Sequence, residues 1–104
     1  MAIMEISVVP VGTESPSVSL FVAECVKIVE QQGLRYEVTS MGTEIEGEIE
    51  ELLSVAALMH SVPFLKGAQR VVTTIKIDER RDKTLTITGK RQAVLTRLKE
   101  RKAG

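Results

Sequence analysis

The sequence predicts an α+β domain in which four strands and two helices follow one another as βαββαβ, with one more helix at the C-terminal end. Three observations predict it. Short β-branched runs with period-two alternation occur four times. Two apolar stripes with helical spacing lie between them, and a third closes the chain. Glycine and proline fall at the changes of period, where the chain must turn.

Taken in order, Ile3 to Val11 reads as the first strand, broken by the segment from Pro10 to Pro16. Ser15-Pro16 is a helix start, because serine accepts an orphan backbone N–H and proline suits the first helical position. Val18, Phe21, Val22, Cys25, Ile28 and Val29 form the buried stripe of that helix, and Gly33 ends it in a left-handed cap. Leu34 to Ser40 reads as the second strand, Met41-Gly42 as a turn and Thr43 to Glu46 as a short third strand, which makes a hairpin. The second helix starts near Glu48, with Glu48, Glu50 and Glu51 in its first turn, where the helix dipole favours negative charge. Its inward face is Ile49, Leu52, Leu53, Ala56 and Met59, and Pro63 is expected to stop it. Phe64 to Gln69 reads as a loop and Arg70 to Asp78 as the fourth strand. Thr84 to Thr88 fits either a strand or the start of the last helix, which is expected from about Gly89 to Lys102.

Right-handed crossovers fold such a chain into a sheet covered by two helices on one face, the ferredoxin-like sandwich, here with an added C-terminal helix. At 104 residues it is expected to be a single domain, residues 1–104. The uncovered face would carry Glu5, Ser7, Val9, Glu37, Thr39, Met41, Val72, Thr74 and Lys76. That mixture is too apolar to stay wet and too polar for a monomer core, so self-association through the sheet is expected.

Composition narrows the function classes. Residues 1–65 hold ten of the fourteen acids and two bases, whereas residues 66–104 hold twelve bases and four acids. The net charge is zero, which gives little long-range attraction for phosphate, and with one Tyr, two Phe and no Trp there is no stacking platform for single strands. No nucleic-acid partner is expected. No apolar run approaches the ~20 residues of a membrane span. A single cysteine and no basic leader fit a cytoplasmic protein without disulfides. One Cys, one His and scattered carboxylates do not make a metal site, and no cofactor is expected. Cys25 belongs to an apolar stripe, and His60 falls in the last turn of a helix, so neither is a catalytic residue on this reading.

The densest polar segment is Met41-Gly-Thr-Glu-Ile-Glu-Gly-Glu48, three carboxylates and a threonine around two glycines, a place to hold a small polar or cationic molecule. Arg80-Arg81-Asp82-Lys83 could meet a phosphate or the acidic segment of a neighbouring chain, and the latter is expected.

Together, Pro10-Val-Gly-Thr13, Ser17-Val-Ser19 with Phe21-Val-Ala23, Met41-Gly-Thr43, Ile45-Glu-Gly-Glu48 and Arg70 to Asp78 with Arg80 to Lys83 resemble the small thiamine-binding protein family related to the repeats of the YkoF-type thiamine binder. The resemblance extends from Ile3 to Lys90; Ser40 stands where the family often has proline. It implies a non-enzymatic binder of thiamine or of its hydroxymethylpyrimidine moiety, assembled as a homodimer or homotetramer. Thiamine needs acceptors for an exocyclic amine, apolar walls and acidic compensation for the thiazolium. Ser17, Ser19 and Thr43 offer hydroxyls, Glu46 and Glu48 charge, and Phe21, Met41 and Phe64 walls. Each has a plainer role open to it: β-propensity for Thr43, helix-start satisfaction for the serines, the helix dipole for Glu48. The alternative function is a structural or protein-interaction module assembled through its sheet face, with no small-molecule ligand.

Overall fold

The computed structural model describes residues 1–12 and 19–103, with side chains through Arg101. Its elements are β1 (Ala2–Pro10), α1 (Ser19–Gln31), β2 (Tyr36–Val38), β3 (Thr43–Gly47), α2 (Ile49–Leu65), β4 (Val71–Glu79) and α3 (Ile87–Ala103). The strands form one antiparallel sheet in the order β2-β3-β1-β4. With α1 and α2 on one face, this is the ferredoxin-like α+β sandwich, extended by α3. The helix start at Ser15-Pro16 lies outside the described residues.

Period-two alternation sorts the sheet into two faces. Ala2, Met4, Ile6 and Val8 of β1 and Ile45 of β3 join Cys25 and Val29 of α1 and Leu52, Val55, Ala56, Met59 and Val62 of α2 in one core. Truncating a side chain such as Leu52 there would cost about 2–5 kcal/mol. Gly33 ends α1 at φ 71°, the left-handed conformation that glycine adopts without penalty.

The second helix runs past the expected stop. Pro63 is inside α2, and Phe64 and Leu65 belong to the helix rather than to a loop. A proline deprives the carbonyl four residues earlier of its helical partner. Here that carbonyl, of Met59, accepts the Cys25 thiol at 3.5 Å, so the interruption helps join α2 to α1. His60 Nδ1 lies 2.6 Å from Thr73 Oγ1 and ties α2 to β4.

The second strand is shorter than the sequence suggests. Only Tyr36–Val38 pairs, because Thr39 to Gly42 close a turn: Thr39 N–H donates to the Gly42 carbonyl at 2.8 Å and Met41 N–H to Thr39 Oγ1 at 3.3 Å. The ambiguous stretch from Thr84 to Thr88 is not a strand. Thr86 is the entry to α3, its hydroxyl accepting Gly89 N–H at 2.9 Å and its carbonyl accepting Lys90 N–H at 3.1 Å.

The start of α3 rests on the face opposite α1 and α2. Ile3, Leu85 and Ile87 form a small second core there. Lys90 pairs with Asp78 at 2.6 Å and Arg91 with Glu37 at 2.7 Å. Beyond this anchor every described side chain of α3 is exposed, including Val94, Leu95 and Leu98. No helix among the described residues is long and apolar enough to cross a membrane.

Candidate functional site

β1 pairs with β4 along all nine of its residues but with β3 only from Ala2 to Ile6, where Thr43 lies opposite. Past that point the 39–42 turn bends away and leaves a cleft of about 260 Å3. Its floor is Ile6 to Val9 of β1. The helix side is Val22 and Cys25 of α1 and Met59 of α2, and the turn side is Thr39 to Thr43. Met41, 79% exposed, stands at the rim. The volume is near the low end for small-molecule sites and accommodates one substituted ring.

The polarity of the cleft is that of hydroxyls. Ser7, Thr39, Ser40 and Thr43 line it, and among the described residues no charged side chain does. Thr43 is the best placed of them. It is 4% exposed, it hydrogen-bonds no described side chain through its hydroxyl, and no described side-chain oxygen or nitrogen is sealed away without a partner. Its Oγ1 is therefore open to the cleft rather than used by the fold. Thr39 is engaged in the turn, where its hydroxyl donates to the Gly42 carbonyl at 3.0 Å.

The structure brings together only part of the set named from sequence. Thr43 and Met41 share the cleft. Glu46 points to the other face of the sheet, where its carboxylate accepts Ile87 N–H at 2.6 Å and lies 3.6 Å from Arg35 Nε. Glu48 precedes α2: Glu51 Oε1 accepts its N–H at 3.3 Å, and its own carboxylate is 3.7 Å from the N-terminal amine. Phe21 lines a separate depression with Leu20, Glu24 and Lys66. Phe64 is exposed on α2, edge to face with His60 at 5.5 Å. Ser19 opens α1, and Ser17 lies outside the described residues. Among the described residues the cleft is thus neutral, not the acid-lined pocket expected from the 41–48 segment.

Most of the lining escaped the sequence reading of the site: Ile6 to Val9, Val22, Thr39, Ser40 and the wall made by Cys25 with Met59. One signal could have found them. The first strand has nine residues and the third five, so part of the longer one must lack a neighbour.

Cys25 is the single thiol, buried at the cleft wall. Burial first, and the nearby Glu24 second, push its pKa from 9.0 up to about 11. The thiol form is therefore favoured in the fold, and the associated stability is complete below pH 9 and lost as pH rises through 11. Iodoacetamide at pH 8 should label native Cys25 far more slowly than the urea-unfolded chain. In alkaline titration Cys25→Ala should lose less stability between pH 9 and 11 than the wild type. Equal labelling rates in both states would contradict this description of the wall.

The charged loop that follows β4 pairs within its own chain. Arg80 Nε donates to Asp82 at 2.9 Å, which holds the Asp82 carboxyl below its usual range, and Arg81 lies 3.6 Å from Glu79. Among the described residues no cluster of His, Cys, Asp and Glu could hold a metal ion.

Comparison with known proteins gives a consistent result. The sequence model of a family described as "Thiamine-binding protein" matches residues 4–95. The UPF0045 protein YqgV of Bacillus subtilis is 45% identical over 98 residues, covering 90% of this chain and 94% of its own. A crystal structure of the Methanocaldococcus jannaschii protein MJ1052 superposes with a TM-score of 0.81 at 36% identity, covering 89% of this chain and 94% of that one. A Thermotoga maritima structure, provisionally described as a thiamine biosynthesis/salvage protein, superposes with a TM-score of 0.72 at 26% identity over 86% and 92% of the two chains.

Proposed function

We propose that this chain, which belongs to the thiamine-binding protein family, binds thiamine or its hydroxymethylpyrimidine moiety in the cleft beside the 39–42 turn and does not transform it. The observation that carries this reading is the free Thr43 hydroxyl inside a largely apolar cleft sized for one ring. A hydroxyl can accept from an exocyclic amine and donate to a ring nitrogen, and the apolar walls suit the ring faces. Met41 closes over the ring at the rim. Ser17 and Ser19, from the segment leading into α1, are proposed to approach the same ligand. The thiol at the cleft wall, Cys25, is held protonated by its burial, which favours binding over covalent chemistry. The remaining groups named from sequence, Phe21, Phe64, Glu46 and Glu48, would reach a ligand in this cleft only by moving.

We place the protein in the cytoplasm as a homodimer or homotetramer. A free thiol without a disulfide partner suits a reducing compartment. Exposed Val72, Ile75 and Ile77 on the edge strand β4, with Val94, Leu95 and Leu98 on α3, supply apolar surface for a second copy. The same surface favours the second reading, an interaction module that assembles and binds no small molecule.

Calorimetry with thiamine and with hydroxymethylpyrimidine, alongside light scattering, separates the two. Binding of either ligand supports the first reading, and a stable oligomer with no heat of binding at millimolar ligand supports the second. Thr43→Val preserves shape and removes the hydroxyl. It should weaken binding by roughly five- to tenfold, the value of about 1 kcal/mol for one net hydrogen bond, with little change in melting temperature. Unchanged affinity would remove Thr43 from the site.

A further inference from the structure

The cleft has a second polar element, and it belongs to the backbone. Successive residues of a strand direct their N–H and C=O to opposite edges, so one residue presents both groups to the same neighbour. In β1 the odd-numbered residues face β4. Val11 N–H donates to the Arg70 carbonyl at 2.9 Å, and the Met1 carbonyl accepts Arg80 N–H at 3.4 Å. The even-numbered residues face β3. A Cβ on Gly42 would lie 2.8 Å from the Ile6 carbonyl oxygen, which places that oxygen against the start of β3. The β1–β3 ladder ends at Ile6 and Thr43. The next even residue is Val8, whose N–H and C=O therefore point into the cleft.

Continuing the register would set Met41 opposite Val8. That strand position is not occupied as a partner, because Met41 N–H is already given to Thr39 Oγ1 within the turn. The result is one residue of open strand edge, donor beside acceptor, lying along an apolar slot between Met41 and the Cys25–Met59 wall.

We infer that the Val8 N–H and C=O form the recognition edge of this cleft, and that they select flat, neutral one-ring heterocycles carrying an exocyclic amine next to a ring nitrogen. The ring nitrogen accepts from Val8 N–H, and the amine donates to the Val8 carbonyl. The ligand thereby takes the place of the missing β3 residue. The inference rests on the cleft being a ligand site but not on thiamine being its ligand. Recognition lies in the amine–nitrogen edge, and a cationic appendage would project past Met41 toward solvent, since no carboxylate among the described residues lines the slot. A free aminopyrimidine and a larger molecule that carries one share this chemistry.

The experiment is amide NMR of the 15N-labelled full chain, titrated with 4-aminopyrimidine, 4-methylpyrimidine, hydroxymethylpyrimidine and thiamine. The expected result is that 4-aminopyrimidine and hydroxymethylpyrimidine move the Val8 amide proton downfield more than any other amide and slow its exchange. The methyl isostere should bind roughly tenfold more weakly, because it leaves the Val8 carbonyl unpaired. Val8→Pro removes an N–H that faces no strand, so it should abolish aminopyrimidine binding while the amide spectrum of β4 is retained. If that variant does not fold, the wild-type titration decides.

Four results are distinguishable. Val8 shifting with 4-aminopyrimidine but with neither hydroxymethylpyrimidine nor thiamine upholds this inference while overturning the proposed ligand. Thiamine binding with the Val8 amide unmoved overturns this inference and leaves the proposed function standing. Equal binding of the amino and methyl probes overturns it, and so does a Val8 amide that none of the four probes moves.

Discussion

Replacing Glu46 by alanine is expected to free α3 from the sheet and lower the unfolding free energy by about 2–3 kcal/mol. The carboxylate is 8% exposed and accepts the Ile87 N–H at 2.6 Å, at the N-terminal end of α3 where the helix dipole favours an anion. Arg35 adds a nearby cation at 3.6 Å and a hydrogen bond to Thr88 Oγ1 at 2.6 Å. Alanine removes the acceptor and leaves Ile87, itself 3% exposed, with a buried N–H and no partner. An unsatisfied buried donor costs more than the average net hydrogen bond is worth. The other ties of α3 to the sheet, Lys90 with Asp78 and Arg91 with Glu37, join exposed side chains. Lys90→Ala and Arg91→Ala should each cost less than about 1 kcal/mol.

Urea unfolding gives these differences directly, and hydrogen exchange through residues 90–100 reports whether the helix has been released. Glu46→Gln, which keeps an acceptor of the same reach, should recover part of the loss. The same variants address the ligand. If Glu46 serves the anchor of α3, a folded Glu46→Gln protein binds thiamine as the wild type does. A folded variant that has lost affinity would mean that the carboxylate serves the ligand instead, and the cleft described here would be misplaced.

Glu46 also illustrates how far the sequence could be read. Alternation along β3 is visible in the residues and puts Thr43 and Ile45 on one face and Glu44 and Glu46 on the other. Thr43 and Glu46 are therefore separated by the sheet, and proximity in sequence was the misleading signal. The order of elements was legible because it depends on local periodicity and on glycine at the ends, as at Gly33. Pro63 was not, because whether proline ends a helix depends on what else meets the freed carbonyl, and Cys25 reaches Met59 from thirty-four residues away. The cleft was hidden for a similar reason. It arises from a mismatch between two strand lengths, and the length of β2 and β3 is set by the hydrogen bonds of the 39–42 turn rather than by β-propensity. Phe21 and Phe64 offer aromatic faces in the sequence, but the helices direct them to separate surfaces.

The turn itself predicts the second large effect, at Gly42. A Cβ added there would lie 2.8 Å from the Ile6 carbonyl oxygen and 3.4 Å from its carbon, both backbone atoms of a strand held on its other edge by β4. Neither can yield without moving β1 or peeling the hairpin away. The backbone at Gly42 is not left-handed, so the glycine is needed for room rather than for torsion. Gly42→Ala is therefore expected to cost about 1–3 kcal/mol as overpacking against a rigid neighbour. In a domain of this size each kilocalorie lowers the melting temperature by about 4–8 °C. The larger consequence is for binding. Any outward shift of the hairpin carries Thr43 and Met41 away from β1, so the free hydroxyl and the open edge of Val8 no longer address one molecule. Affinity should fall more than tenfold, beyond the loss from Thr43→Val, since two contacts are displaced together. Gly33→Ala is the matched control. Nothing lies within 4 Å of a Cβ there, but the residue sits at φ 71°, so it should cost roughly 1–2 kcal/mol through torsion alone and leave affinity unchanged. Two glycine variants of similar stability but opposite effect on binding would locate the ligand beside the turn. Equal affinity in both would move it elsewhere, since no ligand held between Val8 and Thr43 could be indifferent to the approach of β3 to β1.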